Sequence, residues 1–252
     1  MDVTRTPQNN TGIADSARYA RQLQLPEIGP EGQRLLAQTS VAVVGAGGLG
    51  APILYYLTAA GIGRIAIIDC DVVSPSNLQR QILYCESDLA RPKAIQAQKR
   101  LTALNSTLQI EAITERLNET NVATLLADYQ IIVDATDNYP TRYLLDDYTR
   151  SAAKPLVHGA IEGWRGQCTI FASSSTLRYR DLYSEPHSAE EIVPPGVIVI
   201  FTSPSAMRPA RETTLPLMPP SCPKAVSVTS DSTKISRLLI FIDYVSNLFG
   251  KI

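Results

Sequence analysis

A glycine-rich segment between two apolar runs is the first part of this sequence that could support chemistry. Residues 45–50 read GAGGLG directly after the apolar run VAVV, and Gly45, Gly47 and Gly50 fit the pattern G-x-G-x-x-G. In that pattern the first glycine permits a tight turn, the second lets a phosphate approach the backbone, and the third lets a helix pack closely on a strand. We therefore expect the loop, including Gly48, to hold nucleotide phosphates at a helix start, the alternative being a plain packing turn.

Charged and polar residues follow this loop where strands are expected to end. Asp69 closes the run IAIID, and a carboxylate there can accept hydrogen bonds from ribose hydroxyls. Asn77 and Arg80 fall in the next loop, at the carboxyl end of the expected sheet. Lys93 stands just after Pro92 at a predicted helix start, where a cation opposes the helix dipole. A bound anion would explain that position, although a solvated surface lysine is the alternative.

The segment IIVDATDN places two further carboxylates at the end of a predicted buried strand. Carboxylates at that edge can orient the Mg²⁺ of a nucleotide or line the crevice of an α/β sheet. Asp134 could equally cap the following turn, so we expect Asp137 to be the carboxylate on the metal side. His158 ends another predicted buried strand, and we interpret it as a core histidine.

The overall composition argues against several classes of partner. With 23 basic and 24 acidic residues among 252, no global field favours nucleic acid or a membrane surface. No apolar run approaches the roughly 18 residues of a membrane span, and the polar N-terminus does not resemble a secretion signal. The four cysteines are scattered without a Cys-x-x-Cys pair, so we expect a reducing, cytoplasmic setting and no zinc site.

Apolar runs alternate with helical patterns from residue 41 onwards. This alternation predicts an α/β fold with a doubly wound, mostly parallel, Rossmann-like sheet and helices on both faces. The predicted strands cover 41–44, 64–69, 109–113, 131–134 and 155–158, and the predicted helices cover 49–60, 92–104, 121–127 and 140–153. Two short helices interrupted at Pro26 and Pro30 are expected before the first strand, and GQCTIFA begins a β-rich C-terminal extension.

Six segments, taken together, are similar to a known protein family. They read RYARQLQLPEIG (18–29), VVGAGGLGAP (43–52), IIDCDVVSPSNLQRQ (67–81), RPKA (91–94), VDATDNYPTRYLLD (133–146) and KPLVHGAIEGWRGQ (154–167). The chain resembles the ThiF, MoeB and HesA family of adenylating enzymes for ubiquitin-like sulfur carriers. The segments occur in the family's order and cover about residues 18–172, and their combination is more specific than any one of them.

The resemblance implies that ATP is the nucleotide. Asp69 would hold the ribose, with Asp71 and the glycine loop also against the nucleotide, and Asp137 would bind Mg²⁺ through ATP. The residues that would contact the triphosphate are Asn77, Arg80 and Lys93. Arg21 matches an arginine that reaches into the neighbouring subunit's active site, which implies a homodimer.

The same resemblance implies that the second substrate is the C-terminal carboxylate of a ubiquitin-like carrier protein or a short peptide. Such a carboxylate has a pKa of about 3.5, so it is ionised at neutral pH and needs no general base. Cations and a metal would instead relieve repulsion between the anions and stabilise the departing pyrophosphate. We therefore expect an acyl-adenylate product and an adenylyltransferase.

The domain organisation follows from the same reading. We interpret residues 1–17 as a mobile arm and 18–252 as one adenylation domain, with a nucleotide-binding core at 18–172 and a crossover loop and C-terminal strands at 173–252. Residues 194–233 are crowded with proline, serine and threonine, which indicates an atypical, partly disordered loop.

The chain departs from the family's pattern after residue 172. Many relatives bind a structural zinc through two Cys-x-x-Cys pairs, but here Arg178 and Asp181 stand where the first pair would be. Cys222 lies in the only Pro-Ser-Cys stretch and is a candidate sulfur-transfer thiol, a bystander thiol being the alternative. Two other functions stay open: an NAD-dependent oxidoreductase built on the same glycine loop, and a non-catalytic relative that binds a nucleotide or a carrier.

Overall fold

Six strands form one sheet at the centre of the protein. The computed structural model describes residues 17–162, 165–174 and 177–184. Its strands are β1 (Ser40–Val44), β2 (Arg64–Ile68), β3 (Gln109–Ile113), β4 (Ile131–Asp134), β5 (Leu156–Glu162) and β6 (Arg165–Phe171). The predictions for residues 1–16 and 185–252 lie outside the described residues, and these include Cys222, the loop 194–233 and the C-terminal strands.

The strand order is β3-β2-β1-β4-β5-β6. All neighbours pair in parallel except β5 and β6, which form an antiparallel pair. The chain passes from β1 outward to β3 and then returns to β4 on the other side of β1. The predicted doubly wound, mostly parallel sheet is therefore confirmed, with its topological switch point between β1 and β4.

The helices are α1 (Ala20–Leu23), α2 (Gly29–Ala37), α3 (Gly50–Ala60), α4 (Lys93–Leu104), α5 (Val122–Leu126), α6 (Tyr139–Ser151) and α7 (Tyr179–Leu182). Short 3₁₀ turns cover Pro75–Asn77 and Glu86–Asp88. The two short helices expected before the first strand are present, and most of the other predicted bounds agree within two residues. Among the described helices, none combines the length and apolarity that crossing a membrane requires.

Alternate residues of the central strands feed two separate hydrophobic layers. Val41 and Val43 of β1 point to one side, where they join a cluster with residues of α2, α3 and α4. Ala42 and Val44 point to the other side and join a cluster with residues of α5 and α6. Because both faces are covered, β1, β2 and β4 are buried almost throughout, as their uniformly apolar sequences predicted.

Candidate functional site

A cleft of about 350 Å³ opens at the carboxyl ends of β1, β2 and β4. It lies at the topological switch point, which is where ligands bind in open α/β sheets. The sequence-predicted residues that line it are Gly45, Gly47, Gly48, Asp69, Asp71, Arg80, Lys93 and Asp137. The other predicted residues, Gly50, Asn77 and Arg21, are not among its lining residues. Residues scattered over about 90 positions of the chain thus meet in one place.

The glycine loop has the geometry that each of its glycines was expected to provide. Gly45 has a φ of +93°, and a Cβ at this position would lie 2.7 Å from the carbonyl oxygen of Ala135. A Cβ on Gly50 would lie 1.9 Å from the carbonyl oxygen of Gly45, so α3 can begin only with glycine there. A Cβ on Gly47 would meet nothing closer than 3.5 Å, which leaves the backbone at this glycine open toward the cleft.

Ala46, inside the loop, is held from both sides. Its backbone N–H donates to Oδ2 of Asp69 at 2.8 Å, and its carbonyl accepts from the hydroxyl of Tyr84 at 2.8 Å. The other carboxylate oxygen of Asp69 accepts from the N–H of Asp71 at 2.9 Å. Burial raises the pKa of the Asp69 carboxyl above its usual range, against the opposing effect of these two N–H donors and of Lys93.

Lys93 is buried at the first position of α4, so it is not the solvated surface lysine of the alternative reading. Its side chain is 6% exposed, and Nζ lies 2.9 Å from Oδ2 of Asp71, whose own side chain is 61% exposed. The backbone N–H of Lys93 also donates to the carbonyl of Asp71 at 2.9 Å. Asp71 therefore offsets the charge that the helix dipole disfavours, and the ammonium group lines the cleft beside it.

Arg80 and Asn77 take different positions although they are three residues apart. The guanidinium of Arg80 donates to the carbonyl of Ser76 at 2.9 Å, and its aliphatic carbons lie 3.5 Å from where a Cβ on Gly48 would be. The amide oxygen of Asn77 accepts from the N–H of Ser74 at 3.3 Å and closes the 3₁₀ turn. Arg80 lines the cleft, whereas a contact of Asn77 with a triphosphate stays a prediction.

The turn after β4 separates the two carboxylates of the DATDN segment. Asp134 is buried, and its Oδ1 accepts from the N–H and the hydroxyl of Thr136 at 3.0 and 2.6 Å. Its Oδ2 lies 2.7 Å from Nδ1 of His158, which is 2% exposed. Asp134 thus caps the turn and His158 is a core residue, while Asp137 is exposed and lines the cleft.

A family model described as the ThiF family matches residues 19–215. The chain belongs to the ThiF family. Of the curated proteins, the sulfur carrier protein adenylyltransferase of Thermus thermophilus is 48% identical over 187 residues, which is 72% of this chain and 66% of that protein. The SAMP-activating enzyme E1 of Haloferax volcanii is 43% identical over 187 residues, which is 73% of this chain and 69% of that enzyme. This ThiF-family chain therefore matches about two thirds of the length of either relative.

A solved structure of another protein also resembles this ThiF-family chain. It is the tRNA N6-threonylcarbamoyladenosine dehydratase TcdA of E. coli in complex with ATP, at 29% identity and a TM-score of 0.57. The similarity covers 61% of this chain and 63% of that one. The shared architecture supports the fold described above.

Several polar side chains in the cleft of this ThiF-family chain were not singled out from the sequence. They are Cys70, Gln81, Glu115, Arg116, Thr136, Asn138 and Thr141. Gln81 and Asn138 lie inside segments already quoted, so their motif context could have revealed them. Glu115 and Arg116 follow β3 in no recognisable pattern, and they reach the cleft because β3 is the neighbour of β2.

Arg178 and Asp181, which stand where many relatives have their first zinc-binding cysteine pair, make hydrogen bonds within the fold. The carboxylate of Asp181 accepts from the backbone N–H of Arg178 at 2.8 Å at the start of α7, and the guanidinium of Arg178 donates to the carbonyl of Asp146 on α6 at 2.7 Å. The described residues contain no group of three or more His, Cys, Asp or Glu side chains that could hold a metal ion.

Proposed function

We propose that this chain is an ATP-dependent adenylyltransferase. Its second substrate is the C-terminal carboxylate of a ubiquitin-like sulfur carrier protein or a short peptide, and its products are an acyl-adenylate and pyrophosphate. The observation that carries the proposal is that Arg80 and Lys93 meet the glycine loop and the carboxylates of Asp69, Asp71 and Asp137 in one cleft of a ThiF-family fold. The names of the two curated relatives, an adenylyltransferase and an E1 enzyme, support the same reaction.

The reaction that fits this cleft is attack of a carboxylate oxygen on the α-phosphorus of ATP. A new P–O bond forms to the carboxylate, and the bond between the α-phosphorus and the bridging oxygen breaks with its electron pair leaving on pyrophosphate. The attacking group is ionised at neutral pH, so no proton has to be removed. The protein must instead bring two anions together and stabilise the charge that moves to the leaving group.

We assign a different part of the nucleotide to each group of residues in the cleft. Backbone N–H groups at Gly47 and at the N-terminus of α3 donate to phosphate oxygens. Asp69 accepts from ribose hydroxyls with the lone pairs that its own N–H partners leave free. Lys93 and Arg80 supply positive charge beside the loop. Because the Lys93 ammonium is almost fully buried, its attraction for a phosphate is screened less than that of a surface lysine.

Asp137 is the side chain we propose for Mg²⁺. Its exposed carboxylate offers the hard oxygen ligand that Mg²⁺ prefers, and this ion is commonly held by one or two carboxylates together with substrate phosphates. When bound, the ion would neutralise charge on the polyphosphate and on the departing pyrophosphate.

The assembly and setting belong to the same proposal. Arg21 is exposed on α1 and does not line the cleft of its own chain, which suits an arginine that reaches a neighbouring subunit. We therefore propose a homodimer with shared active sites, working in a reducing cytoplasm.

The test is exchange of radioactive pyrophosphate into ATP in the presence of a ubiquitin-like sulfur carrier ending in Gly-Gly. We expect exchange by the wild-type chain and a loss of at least about a hundredfold in Asp137→Ala and in Arg80→Ala, the size typical of removing one preorganised electrostatic group. Asp128→Ala and Arg34→Ala are matched controls because both residues are exposed and lie outside the cleft. The same carrier with an amidated C-terminus should support no exchange.

Two outcomes would contradict the proposal. Equal exchange rates in all five proteins would remove Asp137 and Arg80 from the mechanism. Tight binding of NAD without binding of ATP would favour an oxidoreductase that uses the same glycine loop.

A further inference from the structure

Gln81 is a buried amide in the wall of the cleft, and the sequence pattern assigns it no role. Its side chain is 4% exposed, yet its Oε1 has no hydrogen-bond partner among the described residues. Because Oε1 is itself buried, the group of this amide that remains for a ligand in the cleft is the Nε2 donor.

The backbone of Gln81 is firmly placed. Its N–H donates to the carbonyl of Asn77 at 2.9 Å, and its carbonyl accepts from the N–H of Tyr84 at 3.1 Å. The side-chain Nε2 lies 3.5 Å from where a Cβ on Gly47 would be. Gln81 therefore stands over Gly47, while its neighbour Arg80 stands over Gly48 at the same distance.

We infer that the Gln81 amide binds the magnesium-bound polyphosphate of the nucleotide. Its Nε2 hydrogens donate to a phosphate oxygen above Gly47, beside Arg80, whose aliphatic carbons lie over the next glycine. The Oε1 atom is itself buried and takes no part in this contact. The inference rests on the proposed function, because it takes the ligand to be MgATP.

Gln33 is the natural comparison for a purely structural amide. It is 9% exposed and its Oε1 also lacks a partner among the described residues, but its Nε2 donates to the carbonyl of Ala60 at 2.9 Å. It lies on α2 outside the cleft. Replacing Gln33 by Met removes a real hydrogen bond from the fold, whereas replacing Gln81 by Met removes an unpaired acceptor.

The experiment measures binding of ATP to the full-length chain by isothermal titration calorimetry, with Mg²⁺ and with EDTA, together with the melting temperature of each variant. We expect Gln81→Met to weaken MgATP binding by about tenfold or more, the loss expected for a hydrogen bond to a charged group. Its melting temperature without ligand should be equal to or above that of the wild type. Gln33→Met should show the reverse, with a lower melting temperature and an unchanged affinity.

A second variant separates the two halves of the amide. Gln81→Glu keeps an acceptor but replaces the donor by a negative charge, so we expect ATP binding in EDTA to fall further than in Gln81→Met. Addition of Mg²⁺ should restore more of the affinity in Gln81→Glu than in Gln81→Met.

The inference is overturned if Gln81→Met binds MgATP as tightly as the wild type, or if both Met variants lose melting temperature alike while keeping their affinities. In either case the wild type still binds MgATP, and the proposed function is untouched. Failure of the wild type to bind MgATP would refute the proposed function together with this inference.

Discussion

The carboxylate of Asp69 has two tasks in the same place. It supports the glycine loop through the N–H of Ala46, and it faces the cleft in which we propose that the ribose binds. Each carboxylate oxygen has two lone pairs, and the loop uses one on each oxygen. The cost of this arrangement is burial of a charge, which is why the pKa of Asp69 is raised.

This raised pKa gives a prediction about stability and pH. The folded protein holds the Asp69 proton more tightly than the unfolded chain, whose carboxyl has a pKa of 3.8. The contribution of Asp69 to the free energy of unfolding is therefore fully present below pH 3.8. It is lost as the pH rises from 3.8 through the raised pKa of the folded protein. We expect the free energy of unfolding of Asp69→Asn, relative to wild type, to increase as the pH rises from about 3.5 to 7.

Urea unfolding at a series of pH values measures this difference. Asp128→Asn, which changes an exposed carboxyl outside the cleft, serves as the control. A difference between wild type and Asp69→Asn that is constant or falls with pH would show that burial of the charge is not the dominant effect on Asp69.

At the scale of the element, the turn from β1 into α3 uses its glycines for different purposes. Gly50 is needed for packing, because a Cβ there would lie 1.9 Å from the carbonyl oxygen of Gly45. Gly47 has room for a Cβ within the protein, and we propose that its open backbone binds the nucleotide phosphates. The same short motif therefore contains one glycine that the fold requires and one for which we propose a role in binding.

Two alanine substitutions in this turn should affect different properties, one the stability of the fold and the other the binding of ATP. We expect Gly50→Ala to lower the free energy of unfolding by about 3 kcal/mol, because the backbone must move apart. Gly47→Ala should change stability by less than about 1 kcal/mol but weaken ATP binding by at least about tenfold, because its methyl group occupies the phosphate position. Thermal unfolding and calorimetric titration with MgATP measure the two effects. Unchanged ATP affinity in Gly47→Ala would place the phosphates elsewhere.

At the scale of the whole molecule, the proposed sharing of Arg21 between subunits can be tested by mixing inactive variants. Arg21→Ala and Asp137→Ala each lack one part of the site. In a heterodimer of the two, one site receives the intact arginine from one chain and the intact aspartate from the other. With free subunit exchange, half of the dimers are mixed and carry one active site of two, so we expect recovery of about a quarter of wild-type pyrophosphate exchange.

The mixture distinguishes sharing from other roles of Arg21. If Arg21 acts within its own chain, mixing restores nothing. If Arg21→Ala is fully active alone, the arginine has no part in the reaction. The mass of the wild-type chain in solution, measured by light scattering, provides the control for assembly.

Local pattern was sufficient for the architecture and for much of the cleft. The apolar runs around Val43, Ile67 and Val133 had to become buried parallel strands, because an uninterrupted apolar strand needs cover on both faces. Once the strands were parallel, their carboxyl ends had to share one edge, which is why Asp69 and Asp137 could be assigned to one site.

Tertiary packing decided the remaining features, because they depend on atoms that are far apart in the chain. The sequence could not distinguish a surface Lys93 from a buried one; the pairing of its ammonium with Asp71 across 22 positions settled this. Nor could spacing show that the Asn77 side chain closes its own 3₁₀ turn, or that the Gln81 amide lies over Gly47 with a buried, unpaired oxygen. Hydrogen-bond satisfaction is a property of three-dimensional neighbours, and only the folded chain defines those neighbours.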